Sequence, residues 1–294
     1  MHYNGPIIRP QTDAYSLFVE VTVGCTHNSC TFCNFYDGYP FRVAPLEQIE
    51  EDLQEAKRQN PNVKRIWASG GNPYALSTER LAEVGKLFQK YFSGALVSMY
   101  ARVDDLCRKS VEEMKYLKSL GISDLVVGFE CADDEVLEHV NKGYTVADIL
   151  EGCKRLEEAG VTYRMIYLGG MGGKGHGEIS AKRTVEVLNQ LHPYYMYLNM
   201  VTVVPGTKLY EERARGEFVE AEERERLTEF ITLLSGMKNE IRIFAAPNTT
   251  NFSFDIDLQK DKENVVGQMI EIRDQLTDED EARLRAYRNA KTSV

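Results

Sequence analysis

The sequence predicts an α/β fold: six successive β-α units followed by a mainly helical C-terminal extension. Three observations predict it. Short runs rich in β-branched and aromatic residues alternate with longer stretches of helical apolar periodicity. Little but turn residues separates them, which calls for parallel strands joined by right-handed helical crossovers. The polar and glycine-rich motifs fall after the strands, where such folds gather their chemistry. A doubly wound sheet and an incomplete barrel both satisfy this pattern, since a complete eight-unit barrel takes about 250 residues.

The first strand is LFVEVTV at 17–23. After Pro45, the stripe Leu46, Ile49 and Leu53 predicts a helix. RIWAS (65–69) is the second strand, and a helix follows from Ser77–Thr78 with Thr78 as its N-cap. ALVSMYA (95–101) precedes a helix through Met114 and Leu117 that stops at Gly121. DLVVGFE (124–130) leads into two helical stretches, the second, Val146–Ala159, ending at Gly160. VTYRMIYL (161–168) precedes a helix around Val185 and Leu188, and YYMYLNMVTVV (194–204) is the sixth strand. Beyond Pro205 come an acidic helix at about 221–237, the short run IRIFAAP and two charged helices. The expected division is a core at 1–205 and an extension at 206–294.

Composition narrows the function classes. With 43% hydrophobic and 27% charged residues among 294, the chain can bury a sizeable core. No run approaches the roughly 18 apolar residues of a membrane span. The opening MHYNGPIIRPQTDAY lacks the basic and apolar regions of a signal peptide. These features place the protein in the cytoplasm, away from membranes. The net charge is −10, and the run richest in basic residues, EERARGEFVEAEERERL, is more acidic than basic. Nothing here argues for a nucleic-acid partner.

Three of the six cysteines, Cys25, Cys30 and Cys33, lie within nine residues as C-x4-C-x2-C. A long chain in a reducing compartment has no disulfide framework, so they read as metal-binding thiolates. Cys107, Cys131 and Cys153 are scattered and read as small buried hydrophobes. Structural zinc commonly takes two separated ligand pairs, and no second pair is present. His27 sits too near two of the cysteines to coordinate with them comfortably. Iron–sulfur clusters take closely spaced thiolates from one loop. Three cysteines on a four-iron cluster leave one iron for a small-molecule ligand.

The other strand ends carry SGGNP (Gly70, Gly71, Asn72), Tyr100 and Arg102, Glu130, the run GGMGGKGHG, and Thr202. Blander readings compete with a site. Gly70–Gly71 is also a tight turn, Glu130 a helix cap, and a strand tyrosine core packing. The glycine run fits neither a Walker loop nor a dinucleotide fingerprint.

Taken with these motifs, the loop around Thr31-Phe32-Cys33 resembles the radical S-adenosylmethionine (SAM) superfamily, in which C-x3-C-x2-C spacing is common. The longer spacing is similar to that of some elongator-subunit-like and porphyrin-oxidase-like lineages. SGGNP resembles the family's Gly-Gly-Glu motif, with Asn72 in the glutamate's place. VVGFECADDEVLEHVNKGYT and YLGGMGG are similar to its fourth- and fifth-strand segments, and together the motifs cover about 17–205. The resemblance implies a partial (β/α)6 TIM-type barrel whose open side the extension covers. It implies a [4Fe-4S] cluster on Cys25, Cys30 and Cys33, with SAM on the fourth iron. Gly70, Gly71 and Asn72 would then meet the methionyl group, Phe32 the adenine, Glu130 the ribose and Arg164 the SAM carboxylate. Gly169 and Gly170 would allow close approach of the adenine, and Thr202 joins this cofactor-binding set. Tyr100, Arg102 and Tyr167 are the groups expected to face substrate.

The implied reaction is reductive cleavage of SAM to methionine and a 5′-deoxyadenosyl radical, which takes hydrogen from a substrate. Such oxygen-sensitive chemistry draws electrons from a low-potential donor such as flavodoxin or ferredoxin. The extension holds no further cysteine group, corrinoid domain or RNA-binding appendage, which favours a small molecule or cofactor precursor as substrate. The competing readings are a tRNA- or protein-modifying radical enzyme, and a non-enzymatic iron–sulfur or zinc-binding module. Phe244, Phe252 and Phe254, with Asn248 and Asn251 among them, mark the part of the extension expected to shape the substrate pocket.

Overall fold

A computed structural model describes residues 1–246 and 250–291. In chain order the strands are β1 (Leu17–Glu20), β2 (Thr22–Val23), β3 (Arg42–Val43), β4 (Arg65–Ser69), β5 (Leu96–Ala101), β6 (Ile122–Glu130), β7 (Thr162–Gly169), β8 (Tyr195–Met200), β9 (Arg242–Ala245) and β10 (Phe254–Asp257). The helices are α1 (Leu46–Gln59), α2 (Thr78–Tyr91), α3 (Val103–Cys107), α4 (Val111–Ser119), α5 (Asp134–His139), α6 (Val146–Ala159), α7 (Gly177–Leu188), α8 (Lys208–Arg215), α9 (Glu223–Gly236), α10 (Leu258–Gln275) and α11 (Asp278–Asn289). Eight strands share one sheet in the order β1, β4, β5, β6, β7, β8, β9, β10. Pairing is parallel from β1 through β6 and again between β8 and β9, whereas β10 runs antiparallel to β9. This is the expected α/β class, with a helical C-terminal part that also adds two strands.

Two compact units divide the chain. One comprises Met1–Asn28, Phe35–Gly128 and Glu151–Arg164; the other comprises Ser29–Asn34, Phe129–Leu150 and the chain from Met165 onward. In the first, the parallel strands bury Val19, Ile66, Trp67, Val97 and Met99. Helices α1 and α4 add Ile49, Leu53, Met114 and Leu117, which periodicity marked, and α2 adds Leu81 and Phe88. The predicted strand 17–23 breaks at Val21, and β2 pairs with β3 in a separate ribbon. Ser77, not Thr78, caps α2: its hydroxyl accepts the Arg80 N–H at 3.2 Å, while Thr78 donates to Glu113 at 2.7 Å.

The second unit packs α9 between α7 and α10, with Phe230, Leu233 and Leu234 fully buried. A buried ion pair, Arg288 with Glu223 at 2.6 Å, ties α11 to α9. Glu281 accepts the Glu223 and Arg224 N–H groups at 2.9 and 2.8 Å, so a carboxylate from another helix caps α9. No helix among the described residues is long and apolar enough to cross a membrane.

Candidate functional site

In the first unit, the loop after β4 lies against the first cysteine. A Cβ on Gly71 would sit 2.5 Å from Gly24 O and 2.9 Å from Cys25 Cβ, so only glycine fits. The Gly71 N–H donates to Gly24 O at 3.0 Å. Gly70 has a φ of 149°, and a Cβ there would meet Thr22 Oγ1. Asn72, fully buried, completes the clasp. Its Oδ1 accepts the Thr26 N–H at 3.0 Å; its Nδ2 donates to Thr26 Oγ1 at 2.7 Å and to Asp105 Oδ2 at 2.9 Å. Gly71 and Asn72 therefore bond to the backbone on either side of Cys25, while Gly70 packs on Thr22. Tyr100 is half-buried and edge-on to Trp67, with ring centroids 4.8 Å apart. Arg102 is buried, its Nε donating to Asp104 at 2.9 Å.

Arg164 requires a correction. It is the third residue of β7, near the amino end of the strand, and its guanidinium donates to Asp13 and, at 2.7 Å, to Asp124. Asp124 also accepts from Ser98 at 2.8 Å and Arg65 at 3.1 Å. Burial would push the Asp13 carboxyl up, but the charge and hydrogen bonds of Arg164, then of Arg65, hold it below the usual range. Arg164 is neutralised in a buried network and is withdrawn as a partner for a SAM carboxylate.

In the second unit, the segment with Cys30 and Cys33 is anchored between them. The Thr31 N–H donates to Val140 O at 3.0 Å, and Thr31 O accepts the Leu209 N–H at 2.8 Å. None of the six cysteines is in a disulfide. Cys25, Cys30 and Cys33 are half-buried, while Cys131 and Cys153 are buried. Burial pushes the Cys131 thiol up to about 12 and raises Cys153 as well, so neither is a ready thiolate. Cys107 is half-buried, not buried as expected. As closely spaced thiols, Cys25, Cys30 and Cys33 have the donor chemistry that an iron–sulfur cluster takes.

β6 ends at Glu130 with a φ of 62°, a left-handed conformation that costs a non-glycine residue about 1–2 kcal/mol. The helix-cap alternative fails here, because Asp133 caps α5 by accepting the Glu135 N–H at 3.2 Å. Glu130 Oε1 instead accepts from Lys142 Nζ at 2.9 Å. Lys142 is buried, and its ammonium lies 5.7 Å from the Phe32 ring centroid and 5.4 Å from that of Tyr144. Phe32 and Glu130, singled out separately in the sequence, thus share Lys142. Sequence reasoning missed this lysine. Its only signal was the motif NKGYT, and a lysine beside glycine in a loop reads as surface.

Gly169 and Gly170 also need correction. A Cβ on Gly169 would sit 2.5 Å from Phe230 Cε1, and one on Gly170 2.4 Å from Arg226 Nη1. They admit helix α9 rather than an adenine. Glu229 of that helix accepts the Gly170 N–H at 2.9 Å and the Tyr167 hydroxyl at 2.7 Å. Burial pushes the Glu229 carboxyl up, and burial with Glu229 alongside raises the Tyr167 hydroxyl well above its usual range. Tyr167 is fully buried and its hydroxyl is given to Glu229, so protein rather than a substrate takes that group. Thr202 is buried beyond β8. Phe252 stacks on Phe254 at 5.7 Å and stands edge-on to Phe230 at 5.6 Å, while Phe230 meets Tyr167 at 6.1 Å. Asn251 donates to Glu223 at 2.9 Å; Asn248 lies outside the described residues.

The run GGMGGKGHG walls a cleft of about 370 Å³ lined by His139, Met171, Gly172, Gly173, His176 and Phe218. A Cβ on Gly172 would crowd the His176 ring at 2.8 Å. His176 is oriented by buried Asp133 at 2.9 Å, which Arg183 also holds at 2.7 Å. The volume suits a small molecule.

Comparison with known proteins gives the family. The description Radical SAM superfamily matches residues 19–188. The heme chaperone HemW of Bacillus subtilis is 27% identical over 146 residues, 46% of this chain and 37% of HemW. Among solved structures, coproporphyrinogen III oxidase (HemN) from Escherichia coli is similar at a TM-score of 0.55 and 18% identity, over 75% of this chain and 51% of that one. The archaeal Methanocaldococcus infernus Elp3 is similar at 0.52 and 16%, over 89% and 64%. The chain spans less than two thirds of the length of the curated relatives it matches.

Proposed function

The chain belongs to the radical SAM superfamily, and from that premise we propose that it is an enzyme that removes hydrogen from a small molecule or cofactor precursor. Its cofactors would be a [4Fe-4S] cluster and SAM, which together supply methionine and a 5′-deoxyadenosyl radical; the protein positions the atoms and excludes competing reactions. One observation carries the reading: three unbridged, half-buried thiols in a single loop that hydrogen bonds clasp at Gly24, Thr26 and Thr31.

Cys25, Cys30 and Cys33 would hold the cluster, and Gly70, Gly71 and Asn72 would keep its loop in place. Phe32 would present its ring to the adenine, and Glu130 would accept the ribose hydroxyls. Lys142, a buried cation that already pairs with Glu130 and lies beside Phe32, would hold that carboxylate in place. Residues 1–205 would build the cofactor site, and 206–294 would shape the substrate pocket through the Phe252–Phe230 packing. The cleft walled by the glycine run favours a small substrate. A low-potential donor such as flavodoxin or ferredoxin would supply the electron, in the reducing cytoplasm.

The test is direct. Anaerobically reconstituted protein should hold about four irons per chain and, with dithionite and SAM, release 5′-deoxyadenosine slowly even without substrate. Cys30→Ala should abolish both, and Cys107→Ala neither. Zinc filling the site under iron-replete anaerobic conditions, or reduced protein that leaves SAM intact, would sink the proposal.

A further inference from the structure

We propose that Asp105 supplies the negative charge that receives the α-ammonium group of SAM, with Asn72 holding that carboxylate beside the first cysteine turn. This rests on the reading above, that SAM binds at the cysteine loop. It starts from a buried oxygen. Asp105 is fully buried, and its Oδ2 accepts the Arg102 N–H and Asn72 Nδ2, each at 2.9 Å. Its Oδ1 has no hydrogen-bond partner among the described residues.

Three cations stand near, and none hydrogen-bonds to Oδ1; Arg102 acts on Asp105 through its charge while its Nε donates to Asp104 at 2.9 Å. Arg108 Nη1 is 3.7 Å away, beyond hydrogen-bond reach, on a side chain 60% exposed. Lys109 is buried but gives its ammonium to the carbonyls of Tyr74 and Leu76, both at 2.8 Å. A buried carboxylate in this condition is costly. Burial accordingly raises its pKa, against the lowering effect of the hydrogen bonds from Arg102 and Asn72. An incoming cation that can donate a hydrogen bond would relieve it. SAM carries two cationic groups. The sulfonium has no proton to donate, whereas the ammonium has three.

The location is set by the hydrogen bonds. Asn72 bonds to Asp105 on one side and to Thr26 on the other, and Thr26 follows Cys25. In a Gly-Gly-Glu motif the charge sits on the third residue. Here the third residue is a neutral amide, and the charge stands one hydrogen bond further on.

The experiment compares SAM with an analogue whose α-amino group is replaced by hydrogen, titrated calorimetrically into anaerobically reconstituted protein. Asp105→Asn should keep its iron and weaken SAM by about 10- to 100-fold, the effect of losing a charge-assisted hydrogen bond. It should leave the desamino analogue unchanged. The isosteric exchange Asn72→Asp with Asp105→Asn keeps the pair and returns the charge to the motif position, so it should recover most of the SAM affinity. Unchanged SAM affinity in Asp105→Asn, equal loss for both ligands, or failure of the exchange to recover affinity would overturn the proposal. Iron loss in Asp105→Asn would show a structural brace instead, and overturn it too. Wild-type protein that binds iron but no SAM would defeat the underlying reading, and the proposal with it.

Discussion

At the residue scale, Glu130 combines a strained backbone, a buried cation and a proposed ligand. Glu130→Gln should weaken SAM binding by about 1–2 kcal/mol, measured by calorimetry on cluster-loaded protein. It should also destabilise the fold, because Lys142 is 4% exposed and would keep a charge without its partner. A Glu130→Gln, Lys142→Met double variant should regain that stability in chemical denaturation while SAM binding stays weak. Recovery of both would make the pair purely structural. Arg164→Ala should do the opposite: lose about 3–5 kcal/mol of stability, as for a broken buried ion pair, and leave SAM affinity intact. Its pH dependence has a defined sign. Asp13 titrates below its unfolded value in the native protein, so its contribution is present above about pH 4 and lost as pH falls through the depressed value. Between pH 5 and pH 3, by denaturation midpoints, wild-type protein should therefore lose more stability than Arg164→Ala.

Elements meet at places where one methyl group decides the geometry. Gly71→Ala would put a Cβ 2.9 Å from Cys25 Cβ. It should loosen the cysteine loop, seen as lower iron content after reconstitution, whereas Gly206→Ala meets nothing within 4 Å and should retain iron despite its φ of 90°. Equal iron in both variants would mean that the β4 loop does not brace the cluster site. The aromatic chain from Phe252 through Phe230 to Tyr167 joins the β10 region to β7 by way of α9. Phe252→Ala with Phe254→Ala should spare 5′-deoxyadenosine release but reduce its coupling to substrate turnover. Loss of release in that variant would place the two rings in the cofactor site instead.

For the whole molecule, ligand and metal should be linked to stability. With cluster present, SAM at a hundred times its dissociation constant should add about 2.7 kcal/mol to unfolding, and iron-free protein should gain nothing. Much of the architecture was legible in advance, because period-2 and period-3.6 patterns are local properties of the chain. RIWAS and Val146–Ala159 matched their predicted limits for that reason. The cysteine loop was legible too, since its three cysteines lie within nine residues. Partners separated by many residues were not. Lys142 reaches Glu130 from beyond α5, Asp105 reaches Asn72 from another strand's end, and Arg164 points to Asp13 at the far end of β7 from the glycines. The sequence by itself determined the α/β order, the clustering of three cysteines and the family. Only the tertiary structure decided which charges are neutralised by protein, because burial and pairing depend on distances that no local pattern encodes.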